Sequence, residues 1–192
     1  MFFIQPFNHS SQIIWLWLVQ VMVFTTIKSL PYSFSSFILA PKKGRLMAKD
    51  YDPAMHTAEH ILNQTMVRMF DKGRSFSNHI EKKKSKCDYH FNRPLSIDET
   101  IEIESRVNEV IKSNQPVSEE FISKEEAAKQ FNLSRLPEDS GDTLRIIKVG
   151  SYDACPCSGK HVKNTNEIST FKIISTDYNE GVLRVRFKLI EN

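Results

Sequence analysis

An α+β fold is predicted by three features of the chain. Two segments open with the Ser-x-x-Glu signature of a helix start, at Ser96 and Ser123. An earlier segment carries an apolar stripe at helical spacing, and the C-terminal third is β-branched and alternating, folded back at Asn179-Glu180-Gly181. The expected architecture is a single domain over 47–192, mainly antiparallel sheet packed with helices, without internal repeats or low-complexity tracts.

The elements follow in order. Pro53 stands where a helix can begin, and Met55, Ile61, Leu62, Met66, Met69 and Phe70 trace one stripe until Asp71-Lys72-Gly73 ends it. The stretch 76–91 reads as a hairpin whose turn carries Lys82, Lys83, Lys84 and Lys86, with Cys87, Tyr89 and Phe91 on one face of its second strand. Ser96 and Glu99 form a capping box ahead of Ile97, Ile101, Ile103, Val107, Val110 and Ile111, a helix that ends at Asn114-Gln115-Pro116. Ser123 and Glu126 repeat the signature for a short helix over 124–131, followed by a polar loop over 133–142 that contains Pro137 and Gly141. Strands are expected at 144–149, 168–175 and 182–189, the last two joined by the hairpin turn.

Charge narrows the function classes. The formal excess is +3, but 1–46 holds four basic residues and no acidic one, which leaves 22 basic against 23 acidic residues in 47–192. That body has no global field for gripping nucleic acid, so any RNA contact must come from local patches. Three cysteines do not make a disulfide framework; reduced thiols or metal ligands fit better, in a cytoplasmic setting. The segment 1–46 reads as an N-terminal extension, with both tryptophans, six of the thirteen phenylalanines and an apolar run too short to span a bilayer comfortably. It is a stretch upstream of the natural start, untranslated or disordered, with Met47 opening a soluble sequence; or a membrane anchor or signal; or an ordered extension. No membrane association is expected unless that extension is real, and no protein partner is evident.

The chemistry gathers in two short motifs. His56 and His60 lie four apart on the first helix, so both imidazoles leave one face about a turn apart. Cys157 and His161 repeat the spacing far downstream, where Pro156 stiffens the approach and Ser158-Gly159 allows a tight turn. Three imidazoles and one thiolate suit a tetrahedral Zn2+ at about 2.0 to 2.3 Å. The bland alternative is a buried thiol with satisfied histidines, and Cys155 could replace Cys157 or sit as an inert thiol nearby. His56-Thr57-Ala58-Glu59-His60 also fits HxxEH, the inverted zinc-protease pattern. That class needs a further acidic ligand in a larger fold, so Glu59 is expected to be a solvated helix residue.

His-Thr-Ala-Glu-His-Ile-Leu at 56–62, Cys87-Asp88-Tyr89-His90-Phe91, and Cys157-Ser158-Gly159-Lys160-His161-Val162 with Asn164-Thr165 and Glu167-Ile168 together resemble a known family. It is the editing domain shared by alanyl- and threonyl-tRNA synthetases, with its free-standing alanyl-tRNA editing proteins of the AlaX type. This sequence departs at Ser158 and Lys160, where the family has Gly and Thr, and at Cys155. The resemblance implies zinc on His56, His60, Cys157 and His161, and zinc-dependent hydrolysis of the ester on a mischarged tRNA, foremost Ser- or Gly-tRNA(Ala). With no aminoacylation domain in the sequence, it would act in trans. The charged 3′ end is the expected partner, with Ser77, Asn78, His79, Lys160 and Thr165 as substrate-binding candidates. Lys82, Lys83, Lys84, Lys86 and Lys163 are candidates for phosphate contacts, against the simpler account of a solvated hairpin tip. Two other functions stay open: a non-catalytic zinc-stabilised RNA-binding module, and a zinc hydrolase of small esters or amides.

Overall fold

The computed structural model describes residues 51–134, 136 and 140–191. The N-terminal extension 1–46, and Pro137 of the polar loop, lie outside these described residues.

Helix α1 (Pro53–Phe70) begins where Asp52 accepts a hydrogen bond from the Met55 amide at 3.0 Å, with Pro53 in the first turn. It stops at Asp71, whose φ of 51° is left-handed. Strands β1 (Ser77–His79) and β2 (Ser85–His90) form the lysine-tipped hairpin. Helix α2 (Ile97–Lys112) carries the complete Ser96/Glu99 capping box. Ile103, Val107 and Ile111 of α2 are buried, but Ile97 and Ile101 are exposed. The expected stripe therefore splits, because positions 97 and 101 lie on a different side of the helix from 103 and 107.

Strand β3 (Val117–Ser123) was not expected from the sequence; its residues are mostly exposed, so no alternation marks it. It runs into helix α3 (Lys124–Gln130), one residue shorter than expected. Strands β4 (Thr143–Val149) and β5 (Asp153–Pro156) follow, then a 3-10 turn at Thr165–Glu167. That turn takes Ile168, so β6 (Thr170–Asn179) starts two residues later than expected, and β7 (Val182–Ile190) closes the chain. The α+β class and the antiparallel pairing hold, but the described residues form two sheets: β1-β2-β7-β6 and β3-β4-β5.

The core lies between the four-stranded sheet and the helices: Cys87 and Tyr89 of β2, Leu183, Val185 and Phe187 of β7, and Phe171 of β6 meet Ile61, Leu62 and Met66 of α1. Leu133 and Leu136, within the polar loop, pack on a smaller cluster of Ala127, Leu144 and Ile146. α1 is buried on nearly every side from Met55 to Asn63, polar residues included, so its histidines reach into the interior. No helix among the described residues is long and apolar enough to cross a membrane.

Candidate metal centre

Helix α1 presents His56 and His60 from one face, 5% and 3% exposed. Against them the end of β5 delivers Cys157 and the following loop delivers His161. One donor atom from each of the four lies within 4.8 Å of every other. The Cys157 Sγ is 3.5 Å from His56 Nε2 and 3.4 Å from His161 Nε2. A tetrahedral zinc at ordinary bond lengths separates its nitrogen and sulfur ligands by about 3.3 to 3.6 Å, so the donor set fits this ion.

The ring orientations are fixed by the other nitrogens. His56 Nδ1 donates to the Lys160 carbonyl at 3.2 Å. The Thr57 hydroxyl gives its hydrogen to the Pro53 carbonyl at 2.8 Å, so its oxygen accepts from His161 Nδ1 at 3.2 Å and from the Val162 amide at 3.3 Å. Both rings thus hold Nε2 unprotonated toward Cys157, the tautomer a metal needs. Gly159 passes flat beneath His56; a Cβ there would overlap the ring at Cε1 and Nδ1. Arg145 of β4 steadies the same loop by donating to the carbonyls of Gly159 at 2.7 Å and Cys157 at 3.3 Å.

Electrostatics favour a thiolate. Burial alone would push the Cys157 thiol up, but its contacts with the His161, His56 and His60 imidazoles bring it down to about 3. Burial and the neighbouring histidine charges hold His161 below its ordinary value, against the pull of Cys157. Burial also opposes charge on His60, yet Cys155, the hydrogen bond to Asp153 and Cys157 raise it well above the usual imidazole range. Cys155 Sγ stands 3.4 Å from His60 Nδ1 and 3.9 Å from Nε2, on the side of the ring turned toward Asp153.

The substrate candidates are dispersed. Asn78 donates to Glu59 at 2.8 Å, beside the histidine pair. Ser77 is half-buried on β1, and His79 is turned outward to Glu81 at 2.7 Å. Lys160 and Lys163 are exposed around the metal loop, and Lys82, Lys83 and Lys84 are exposed at the hairpin tip. Thr165 is fully buried; its hydroxyl donates to the carbonyls of Val110 and Ile111 at 3.0 Å and accepts from the Gln115 amide at 2.9 Å, so it secures the end of α2. Glu59 is a correction. It is 4% exposed, and Asn63 and Asn78 donate to it at 2.5 and 2.8 Å, because α1 is enclosed where a solvated face was expected. Sequence reasoning missed Thr57, Arg74, Arg145 and Asp153. For Asp153 a signal existed: with Cys155 and Cys157 it recurs at every second position of an extended strand, which puts all three on one face.

Paired histidines on an enclosed helix, facing a Cys-His loop at the end of a strand, give this α+β domain a group of side chains able to hold a metal ion. Residues 144–186 match the family model described as "Threonyl and Alanyl tRNA synthetase second additional domain". The chain is 36% identical over 132 residues to the alanine–tRNA ligase of Fervidobacterium nodosum, covering 68% of this chain and 15% of that protein. It is 30% identical over 141 residues to that of Bdellovibrio bacteriovorus, 72% of this chain and 16% of that protein. Against that of Methanococcus maripaludis it is 31% identical over 137 residues, 69% of this chain and 15% of that protein. The body of this chain is an editing domain of the type found in alanyl- and threonyl-tRNA synthetases. The chain spans about 15% of the length of the curated relatives it matches.

Proposed function

We propose that this domain is a zinc-dependent aminoacyl-tRNA deacylase that acts in trans in the cytoplasm, on Ser- or Gly-tRNA(Ala). The observation that carries the reading is the convergence of His56, His60, Cys157 and His161, with the Nε2 atoms of His56 and His161 turned toward one thiolate. The relatives are alanine–tRNA ligases, and the substrate class is taken from them.

Zinc bound there would polarise the ester carbonyl or lower the pKa of a water. The chain's own residues do the rest. Thr57 and the Lys160 carbonyl orient two rings, and Arg145 holds the loop closed beneath them. On β1, Asn78 is anchored on Glu59 of the histidine helix, and Ser77 and Asn78 would meet the substrate from that side; His79 is turned to Glu81. Lys160 and Lys163 stand beside the loop where the phosphates of a 3′ end would lie, and the hairpin lysines supply a second basic patch. Four protein donors complete a tetrahedron, so hydrolysis requires a fifth position or the departure of one ligand. Editing is worth a separate site because a pocket separates small side chains by only about 1 to 3 kcal/mol.

The test is deacylation of Ser-tRNA(Ala), Gly-tRNA(Ala) and Ser-tRNA(Thr), with Ala-tRNA(Ala) as control, by the full chain beside His56→Ala, with zinc content assayed in both. Release of serine or glycine that disappears with the zinc is expected. A protein that holds zinc, binds tRNA and spares every ester is instead a non-catalytic RNA-binding module.

A further inference from the structure

The three imidazoles of the metal centre are backed differently at Nδ1. His56 leans on a main-chain carbonyl and His161 on a neutral hydroxyl, each at 3.2 Å. His60 alone faces a carboxylate, Asp153 Oδ2 at 3.4 Å. That carboxylate has no solvent-accessible surface, and Arg74 grips both of its oxygens, at 2.6 and 3.3 Å. From these contacts we infer that Asp153, clamped by Arg74, is a positioning residue that keeps a proton on His60 Nδ1 and offers Nε2 to the metal. The inference rests on the metal reading proposed above.

Three segments meet in this chain of contacts: Arg74 from the connection between α1 and β1, Asp153 from the first residue of β5, and His60 from α1. Asp153 has little freedom to drift. Its neighbour Tyr152 is held by α1 on three counts: Arg68 donates to its carbonyl at 2.7 Å, the Arg68 guanidinium lies 4.2 Å from its ring centroid, and its hydroxyl bonds Thr65 at 2.8 Å. At 3.4 Å the contact with His60 is a long hydrogen bond from Nδ1–H to the carboxylate, and it is defined by the immobility of that carboxylate. Both partners are buried, so their attraction is little screened. Cys155 lies equally near His60 Nδ1, at 3.4 Å, but a carboxylate is the stronger acceptor and receives the hydrogen bond from Nδ1–H. Cys155 therefore belongs to this backing layer, and Cys157 supplies the fourth donor.

A carboxylate behind a ligating imidazole raises its basicity and fixes its tautomer, and losing such a partner weakens metal binding about 10- to 100-fold. The same range is expected for Asp153→Asn, which keeps the shape and removes the charge. Arg74→Lys retains the cation without the two-pronged grip, and a smaller loss is expected. The experiment measures zinc affinity of the full chain by competition with a chromophoric chelator, for wild type and both variants. Long-range proton–nitrogen NMR of the wild type locates the His60 ring proton. Zinc affinity of Asp153→Asn within threefold of wild type overturns the inference, as does a zinc-loaded His60 protonated at Nε2. Should Asp153→Asn fail to fold, the wild-type ring proton decides alone. A wild type that binds no zinc defeats the metal reading instead; a proton retained on Nδ1 of the metal-free ring then preserves the role of Asp153, and a proton on Nε2 only ends it.

Discussion

Gly159 and Cys157 set the tightest constraints on single residues. The His56 ring occupies the place a side chain at 159 would need, so Gly159→Ala must displace either the ring or the loop. Its expected outcome is zinc affinity lowered at least about tenfold, comparable to losing an orienting partner, with unchanged circular dichroism; chelator competition measures it. Cys157→Ser should abolish stoichiometric zinc while Cys155→Ser retains it, checked by metal analysis after dialysis, because only Cys157 stands among the Nε2 atoms of His56 and His161. The four donors were legible in the sequence because each pair is local and four apart. Arg74, Asp153 and Arg145 were not, since their meaning comes from contacts made far along the chain: Arg74 with Asp153 is 79 residues apart. Glu59 was misjudged for a related reason. Periodicity tells which face of an element is apolar and cannot tell whether the polar face is enclosed as well.

At the scale of elements, α2 is defined at both ends by side-chain oxygens, and each end can be tested. Ser96→Ala removes half the capping box and should cost about 1 kcal/mol in urea denaturation. Thr165→Val leaves the Gln115 amide without its acceptor at a buried position, and about 1 to 3 kcal/mol is expected by the same measurement. The register of β2 on β7 places Asp88 opposite Arg184, which donates to it at 2.7 and 2.8 Å. Those hydrogen bonds hold the Asp88 carboxyl below its ordinary value although burial opposes them. A carboxyl whose value is lower in the folded than in the unfolded state stabilises fully above the unfolded value, about 3.9, and loses that contribution as pH falls through the folded one. The stability gap between wild type and Asp88→Asn should accordingly be constant from pH 6 to about 5 and close progressively below about 4, followed by urea melts across that range. Helices with caps and strands with alternation were readable from sequence. β3 was not, because its burial pattern carries no alternation and it is recognisable only through pairing with β4.

For the whole molecule, a zinc ion held in the proposed centre would fasten α1 to the strand end of the smaller sheet, and ligand binding to the folded state alone stabilises by mass action. At zinc a thousandfold above its dissociation constant the gain is about 4 kcal/mol, so a strong chelator should lower Tm by roughly 10 °C. An unchanged melting curve after verified zinc removal would mean that this fastening adds nothing to the fold. The RNA contact proposed above would rest on local lysines alone, so the salt dependence of tRNA binding should correspond to no more than about six phosphate contacts.

His56 and Cys157 are separated by 101 positions along the chain. During synthesis at roughly 5 to 20 residues per second, the histidine helix leaves the ribosome about 5 to 20 s before the thiolate that completes its site. For that interval the nascent chain carries an incomplete chelate, two imidazoles open to any divalent cation. In the proposed centre an ion would be enclosed only when the end of β5 arrives, so the choice of metal would fall last, to the sulfur.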